Sequence, residues 1–200
     1  MSRIRYQSFY PSLTALLLVI FVFFACKSNK NTSDTIADTT EEMQQKAADL
    51  IQEYLVKASA DSGRSIGSSV LLRQSRLSRL LYEKQSYAPI WSKEKKWLPW
   101  GDSMFLFIKD SKLFGLFPED YHFEQLQNIR EKIIAESLSK GDRKAARLWT
   151  QADILLTDAF FQVVKDIKLG RLPSDSVTLR KDTVLTDEFY WQQLELLQQN

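Results

Sequence analysis

The feature that most constrains the fold of this chain is a run of apolar residues at helical spacing between Asp142 and Leu169. The members recur every three or four residues, which places them on one face of an α-helix. Gly170 and Pro173 then follow in the order that typically ends a helix. The sequence therefore predicts a long amphipathic helix. Its apolar positions are Leu148, Trp149, Ala152, Leu155, Leu156, Ala159, Phe160, Val163, Val164 and Ile167.

One charged residue, Asp166, interrupts this apolar face, because it lies between Leu148 and Ala159 on a helical wheel. A carboxylate in such a place needs a hydrogen-bonding partner. It is either a general acid or base with a raised pKa, or a structural anchor that pairs with Arg171 or with backbone amides. We favour the anchor, because no nucleophile, histidine or second carboxylate falls at a spacing that would share its site.

The rest of the chain also reads as helices joined by short irregular segments. Asp102 is placed to cap a short helix, and Tyr87–Trp91 is predicted to be extended because the residue before Pro89 avoids the helical region. We therefore expect a mainly α fold, an irregular helical domain with one short extended segment. The other stretches with helical spacing are residues 41–59, 71–85, 123–138 and 186–200.

The N-terminus has the layout of a bacterial lipoprotein signal. Arg3 and Arg5 precede a largely apolar run over residues 13–24, and Ala25 is followed by Cys26, the only cysteine. This run is shorter than the roughly 20 residues that a helix needs to cross the hydrocarbon core, so cleavage is favoured over a permanent span. Ala25-Cys26 supplies the small residue and the thiol that lipid attachment needs. The competing interpretation is that Cys26 is a small buried residue.

Cleavage after residue 25 would leave a tether and one domain. Residues 26–41 are rich in Ser, Asn, Thr, Lys and Asp and contain no aromatic residue, so they cannot bury enough surface to fold. Residues 42–200 form the predicted helical domain, and its uncapped final helix leads us to expect that the protein continues past Asn200. No acidic run follows Cys26, so we expect a membrane-anchored lipoprotein that faces the periplasm.

Charge and cysteine content narrow the function classes. Residues 1–25 contain two arginines and no acids, so the mature chain carries 25 basic and 25 acidic residues. A net charge near zero disfavours nucleic acid as a partner. With one cysteine there is no internal disulfide, so stability must come from packing. Membrane lipid, attached through Cys26, is the partner that the sequence indicates most directly.

Residues that carry common chemistry are scarce. The only histidine, His122, is expected in a turn or at the surface, and Cys26 is committed to the lipid site. One histidine with scattered carboxylates gives no metal-ligand set, and no glycine-rich phosphate loop is present, so we predict no metal and no cofactor. Glu119 and Asp120 are adjacent acids that point in different directions. The residues alone indicate a helical domain with no catalytic residue.

Three segments nevertheless resemble a known family in their order and spacing. They are residues 80–91 (LLYEKQSYAPIW), 114–122 (FGLFPEDYH) and 154–175 (ILLTDAFFQVVKDIKLGRLPSD). Together they resemble the N-terminal scaffold domain of the YcbB-type murein L,D-transpeptidases. That pattern has a tyrosine helix, a Tyr-x-Pro-x-Trp strand, a Gly-Leu-x-Pro-x-Asp-Tyr turn and a Leu-Leu-Thr-Asp-Ala-Phe helix that ends in Gly-Arg.

The resemblance implies a periplasmic protein of cell-wall synthesis, whose full-length relatives cross-link peptidoglycan stem peptides through an acyl-enzyme on cysteine. The family's nucleophile lies in a Ser-His-Gly-Cys signature in a later domain, and this sequence does not contain that signature. No catalytic residue can therefore be carried over. The residues that match the scaffold pattern are interpreted as structural, and they are Tyr87, Pro89, Trp91, Gly115, Asp120, Tyr121, Asp158, Gly170 and Arg171.

Three functional hypotheses remain open at this point. The first is the lipid-anchored scaffold part of a murein L,D-transpeptidase, inactive by itself. The second is a complete, non-catalytic periplasmic lipoprotein that binds peptidoglycan or a cell-wall enzyme. The third is a helical ligand-binding lipoprotein, which would need a pocket lined by Trp91, Trp97 and Trp100; ordinary core aromatics are the favoured interpretation of these three.

Overall fold

The computed structural model describes residues 40–60, 70–137, 142–171 and 184–199. The predicted signal peptide, Cys26 and nearly all of the predicted tether lie outside these ranges. Within them, no helix is both long and apolar enough to cross a membrane. The described elements are α1 (Thr40–Ala60), α2 (Ser75–Lys84), β1 (Ser92–Lys93), β2 (Lys96–Trp97), α3 (Pro99–Lys109), the 3₁₀ helices η1 (Ser111–Phe114) and η2 (Pro118–Tyr121), α4 (Phe123–Ser137), α5 (Asp142–Leu169) and α6 (Asp187–Gln199).

The prediction of a mainly α fold is confirmed, and α5 has the bounds that the apolar spacing predicts. Helix α1 begins at Thr40, two residues before the predicted start of the domain. Helix α2 begins at Ser75, four residues after the predicted start at residue 71. The residues just before it, Arg73 and Gln74, donate their amides to the Asp158 carboxylate of α5.

Helix α5 is the centre of the fold, since α1, α2, α3, α4, η2 and α6 all contact it. Most of its apolar residues are buried, with Leu156 and Phe161 at 0% exposure. Ile167, predicted on the apolar face, is instead 62% exposed, because it lies near the C-terminal end of the helix. The Phe161 ring makes edge contacts with Tyr190 and Trp191 of α6, both at 5.6 Å between ring centroids. Burial of a large apolar side chain stabilises a fold by about 1.5–3 kcal/mol, so this one helix organises most of the described core.

The extended segment differs from its prediction. The strands pair as a two-residue antiparallel hairpin, Ser92 with Trp97 and Lys93 with Lys96, and not over Tyr87–Trp91. Tyr87 has a φ of 60° and its amide donates to the Tyr82 carbonyl, which ends α2. The amides of the last two residues of that segment bind a carboxylate on α5, so they are not available to a strand partner.

The start of α3 also differs from its prediction. Pro99 occupies the first turn and Leu98 is the N-cap residue, so Asp102 lies inside the helix and does not cap it. The Leu98 carbonyl accepts the amides of Gly101 and Asp102 at 2.8 and 3.1 Å. The Asp102 carboxylate instead accepts a hydrogen bond from Arg130 Nη2 of α4 at 2.9 Å. Asp102 therefore links two helices.

Gly101 is required by the close approach of α3 to the segment before the hairpin. A β-carbon at this position would lie 2.5 Å from the Trp91 carbonyl oxygen and 3.4 Å from the Trp97 ring. The first distance is far below van der Waals contact and involves backbone, so neighbouring atoms would have to shift. Glycine at this place lets α3 pack directly against Trp91, which is itself fully buried.

Candidate functional site

Helix α5 carries two rows of buried polar side chains among its apolar residues. The first row is Asp153 and Thr157, and the second row is Asp158, Gln162 and Asp166; all are at most 8% exposed. Residues four apart lie one above the other on a helix. A buried carboxylate is costly unless it is hydrogen-bonded, so the partners of these polar rows decide what the site is.

Asp153 holds the segment that leads into the hairpin. Its Oδ1 accepts the Ile90 amide at 2.9 Å and its Oδ2 accepts the Trp91 amide at 3.0 Å. The Tyr82 hydroxyl of α2 donates to Oδ1 at 2.6 Å. The Ser92 hydroxyl makes a longer contact at 3.4 Å. One carboxylate thus binds α2 and two consecutive backbone amides to the middle of α5.

Thr157 completes this first row. Its Oγ1 accepts the Trp91 indole N–H at 2.8 Å and lies 2.8 Å from the Tyr82 hydroxyl. The Thr157 hydroxyl also donates to the Asp153 carbonyl, one turn earlier. Tyr82 and Trp91 therefore bury their whole rings and still satisfy their polar atoms, as large amphipathic side chains require.

Burial controls the ionisation of this first row. It raises the pKa of Asp153 from 3.8 to about 6, although the amides of Ile90 and Trp91 and the Tyr82 hydroxyl all favour the carboxylate. Burial raises the pKa of Tyr82 far above its ordinary value, and the adjacent Asp153 charge adds to the rise. At neutral pH, Asp153 is then an ionised acceptor and Tyr82 a neutral donor.

Asp158 binds the chain at the start of α2. Its Oδ2 accepts the Arg73 amide at 3.0 Å, and its Oδ1 accepts the Gln74 amide at 2.6 Å. Gln74 is the N-cap residue of α2 and makes no side-chain cap of its own. A negative charge beside unpaired amides stabilises a helix N-terminus. Asp158 therefore acts as a distant cap, supplied by another helix.

His122 is the third partner of Asp158, with its Nε2 2.7 Å from Oδ2. The residue lies in a turn at the end of η2, as expected, with a φ of 61°. It is buried, however, at 6% exposure, and is not a surface residue. Local residue spacing could not predict this burial, because the partner of His122, Asp158, is 36 residues away.

Asp166 binds the turn that contains η2. Its Oδ2 accepts the Tyr121 hydroxyl at 3.0 Å, and both of its oxygens accept Gln162 Nε2, at 2.9 and 3.0 Å. Gln162 Oε1 accepts Gln74 Nε2 at 2.7 Å, which joins this end of the row to α2. These partners differ from the expected Arg171 and backbone amides. The α5 carboxylates therefore bind the connecting segments, and Asp158 and Asp166 share the turn that contains η2.

Arg171 has another carboxylate as its partner. Gly170, with a φ of 82°, ends α5, and Arg171 Nε then donates to Asp120 Oδ2 at 2.7 Å. Arg73 Nη2 donates to the other oxygen of Asp120 at 2.9 Å. Partial burial would raise the pKa of Asp120, but the two guanidinium groups outweigh it and hold that pKa below its ordinary value.

The comparisons with known proteins point to one family. A family model described as a Scaffold domain matches residues 76–198. The chain belongs to this Scaffold domain family. No curated protein matches the chain, and no solved structure matches it either. The matched range includes the hairpin, η2 and all of α5 with its polar rows, so the hydrogen-bonded network lies almost wholly inside the Scaffold domain.

The tryptophans of this Scaffold domain are packed as core residues. Trp100 Nε1 donates to the Ile90 carbonyl at 2.8 Å, and the Trp97 ring lies 4.7 Å from that of Trp149. Arg130 lies over the Trp97 ring at 5.0 Å. These contacts favour the interpretation as core aromatics over a ligand pocket. Among the described residues, no group of three His, Cys, Asp or Glu side chains could hold a metal ion.

Sequence reasoning missed Asp153, whose carboxylate accepts hydrogen bonds from four residues. A signal was present, because Asp153 lies between Phe160 and Val164 on a helical wheel, in the middle of the apolar arc. It is a misfit of the same kind as Asp166. Asp158 was singled out as structural only through the family resemblance. The partners themselves could not be found from local spacing, since they are 36 to 85 residues away.

We predict that Asp153 makes stability depend on pH. The folded state binds its proton more tightly than the unfolded chain does, because the folded pKa is about 6 and the ordinary value is 3.8. The stability that Asp153 contributes is therefore greatest below its ordinary pKa of 3.8, and it is lost as the pH rises from that value through about 6. Relative to Asp153→Asn, the free energy of unfolding of the wild type should fall by roughly 3 kcal/mol between about pH 3 and pH 7.

Chemical denaturation at a series of pH values measures this difference. Asp110→Asn is the matched control, because Asp110 is exposed, and its difference from the wild type should stay nearly constant with pH. A constant difference for Asp153→Asn as well would contradict the prediction.

Proposed function

We propose that this chain is the lipid-anchored helical scaffold of a murein L,D-transpeptidase that acts in peptidoglycan cross-linking, without the catalytic cysteine domain. One observation carries the proposal. The three segments that resemble the transpeptidase scaffold are far apart in sequence, yet Trp91 of the first segment and Tyr121 and His122 of the second contact the polar rows of α5, which the third segment largely contains. Trp91, Tyr121 and His122 contact Asp153, Asp166 and Asp158 respectively.

This convergence supports the resemblance because it gives the matching residues a common physical task. Chance matches to short turns and helix ends would have no reason to share hydrogen bonds. In this protein Trp91 and Tyr121 are fully buried and hydrogen-bonded to α5, and Asp120 pairs with Arg171 across the end of the same helix. The Scaffold domain match over residues 76–198 covers most of this network.

The same contacts argue against a catalytic role for the three buried carboxylates of α5. Asp153, Asp158 and Asp166 are each occupied by two or more donors of the chain and are at most 6% exposed, so a substrate in solvent cannot reach them. A general acid or base must lie within hydrogen-bonding reach of its substrate. The cysteine chemistry would therefore come from a further domain of the parent protein, placed by this scaffold.

The lipid anchor is a separate part of the proposal and is supported by sequence alone. Ala25-Cys26 follows an apolar run with arginines before it, which is the layout of a lipoprotein signal. Attachment there would hold the helical domain close to a membrane on the periplasmic side, near the peptidoglycan. A protein with a single acyl chain binds a membrane only weakly, whereas several acyl chains anchor the protein stably.

We expect radiolabelled palmitate to enter the protein in its bacterial host only when Cys26 is present. The wild-type chain and a Ser28→Ala control should both carry label, whereas Cys26→Ser should carry none and should leave the membrane fraction. Immunoprecipitation followed by autoradiography measures the label. Label that persists in Cys26→Ser, or is missing from the wild type, would contradict the lipid anchor but would leave the scaffold proposal standing.

The transpeptidase proposal predicts a covalent adduct on the native gene product. An antibody raised against residues 27–200 should isolate from the host a protein longer than this chain, with a carbapenem bound to a cysteine in a Ser-His-Gly-Cys signature. Mass spectrometry locates the adduct. Purified residues 27–200, treated in the same way, should form no adduct and no cross-links in isolated peptidoglycan.

Two results would overturn this assignment. A native product that ends with this chain and forms no adduct would favour the alternative, a complete non-catalytic lipoprotein that binds peptidoglycan or a cell-wall enzyme. An adduct on residues 27–200 would instead place catalysis inside this chain. The matched control is the full native protein with its signature cysteine replaced by serine, which should be expressed but should not react.

A further inference from the structure

Two exposed arginines, Arg73 and Arg171, have more hydrogen-bond donors than the described structure uses. Each donates one hydrogen bond to Asp120, through Nη2 of Arg73 and Nε of Arg171. A guanidinium group carries five N–H donors. The side chains are 46% and 39% exposed, so solvent reaches their remaining donors. We call these two residues the arginine pair.

The arginine pair is held in position before any ligand arrives. The Arg73 amide is bound to Asp158 at 3.0 Å, and Arg171 lies two residues after the last residue of α5. The Arg171 guanidinium also lies over the Phe117 ring at 4.2 Å. Asp120, at 17% exposure, lies deeper than either arginine and ties both to one carboxylate. Because these side chains are already ordered, ligand binding would cost little side-chain entropy.

The outward donors of this cluster suit an oxyanion. Two guanidinium groups share one hydrogen-bonded carboxylate, Asp120, while the buried Asp166 also acts electrostatically on Arg171. A planar guanidinium matches a carboxylate with two parallel hydrogen bonds, which a lysine ammonium cannot do. Beside the arginine pair, Phe117 is 46% exposed and offers an apolar ring face. An oxyanion attached to a chain with apolar groups fits both surfaces.

We propose that the arginine pair is a binding site for a carboxylate-bearing peptide. The identity of that peptide rests on the proposed function, under which it is the stem peptide of peptidoglycan. The scaffold would then hold one stem peptide at the end of α5, with its carboxylate on the outward donors of Arg73 and Arg171 and an apolar side chain on Phe117. This goes beyond support of another domain, because it gives the scaffold a part in substrate capture.

Calorimetric titration of the purified full chain with the tetrapeptide released from the host's own peptidoglycan tests the site. Conversion of the peptide's carboxylates to amides should weaken binding by about tenfold or more, because charge-assisted hydrogen bonds are lost. Arg73→Gln and Arg171→Gln should each weaken it by about tenfold. The Arg171 Nε–Hε signal in ¹H–¹⁵N spectra should shift on titration, which a purely structural ion pair would not show.

Arg79→Gln is the matched control, because Arg79 is an exposed arginine paired with Glu83 on α2, and its substitution should leave binding unchanged. The amidated peptide tests the wild-type protein directly, so the result does not depend on whether a variant folds. Failure of the tetrapeptide to bind, or equal binding of its amidated form, would overturn the proposal. Equal affinity for inorganic phosphate would overturn the peptide assignment.

The tetrapeptide titration and the carbapenem experiment can fail independently of each other. A carbapenem adduct on the native gene product without tetrapeptide binding would defeat only the arginine-pair site. Tetrapeptide binding without an adduct would support the site and would defeat the transpeptidase assignment.

Discussion

The hydrogen bonding of buried carboxylates on α5 is the interaction on which the rest of this structure depends. A carboxylate removed from water must find donors, and the donors of Asp153, Asp158 and Asp166 lie largely on the connecting segments. Asp153 binds the segment before the hairpin, Asp158 binds the start of α2, and Asp158 and Asp166 both bind the η2 turn. Apolar packing alone would hold helices against α5 but would not fix the irregular chain between them. The carboxylates supply that specificity, because backbone amides and hydroxyl groups bind them in defined directions.

The periodic parts of the fold were predictable from sequence, and the irregular parts were not. The bounds of α5 followed from apolar spacing together with Gly170, since both signals are local. The extended segment was placed wrongly, because the amides of Ile90 and Trp91 bind Asp153, which is 62 and 63 residues away. Asp102 looked like a cap, but Pro99 begins α3 one turn earlier. The spacing of residues along the sequence does not reveal a distant hydrogen-bonding partner that competes with a local one.

The network also explains how a domain with charged residues in its core can serve as a scaffold. Apart from the contacts within α5, the described contacts of the polar rows join other elements to this helix, so displacement of one segment would leave a buried charge without its partners. These hydrogen bonds therefore favour one fixed arrangement of the connecting segments, and of the surface that they form, relative to α5. A fixed surface is what placement of another domain, or of a substrate on Arg73 and Arg171, would require. Under the proposed function, this mechanical role falls to the Scaffold domain matched over residues 76–198.

Native-state hydrogen exchange in Asp158→Asn tests most directly whether α5 carboxylates fix the connecting segments. Asparagine keeps the shape of the side chain but loses one acceptor and the charge. The account predicts that the Arg73 and Gln74 amides lose about tenfold or more of their protection, while the Trp91 amide, bound to Asp153, keeps its protection. Unchanged protection at Arg73 and Gln74 would contradict the account, because the start of α2 would then be held by packing alone.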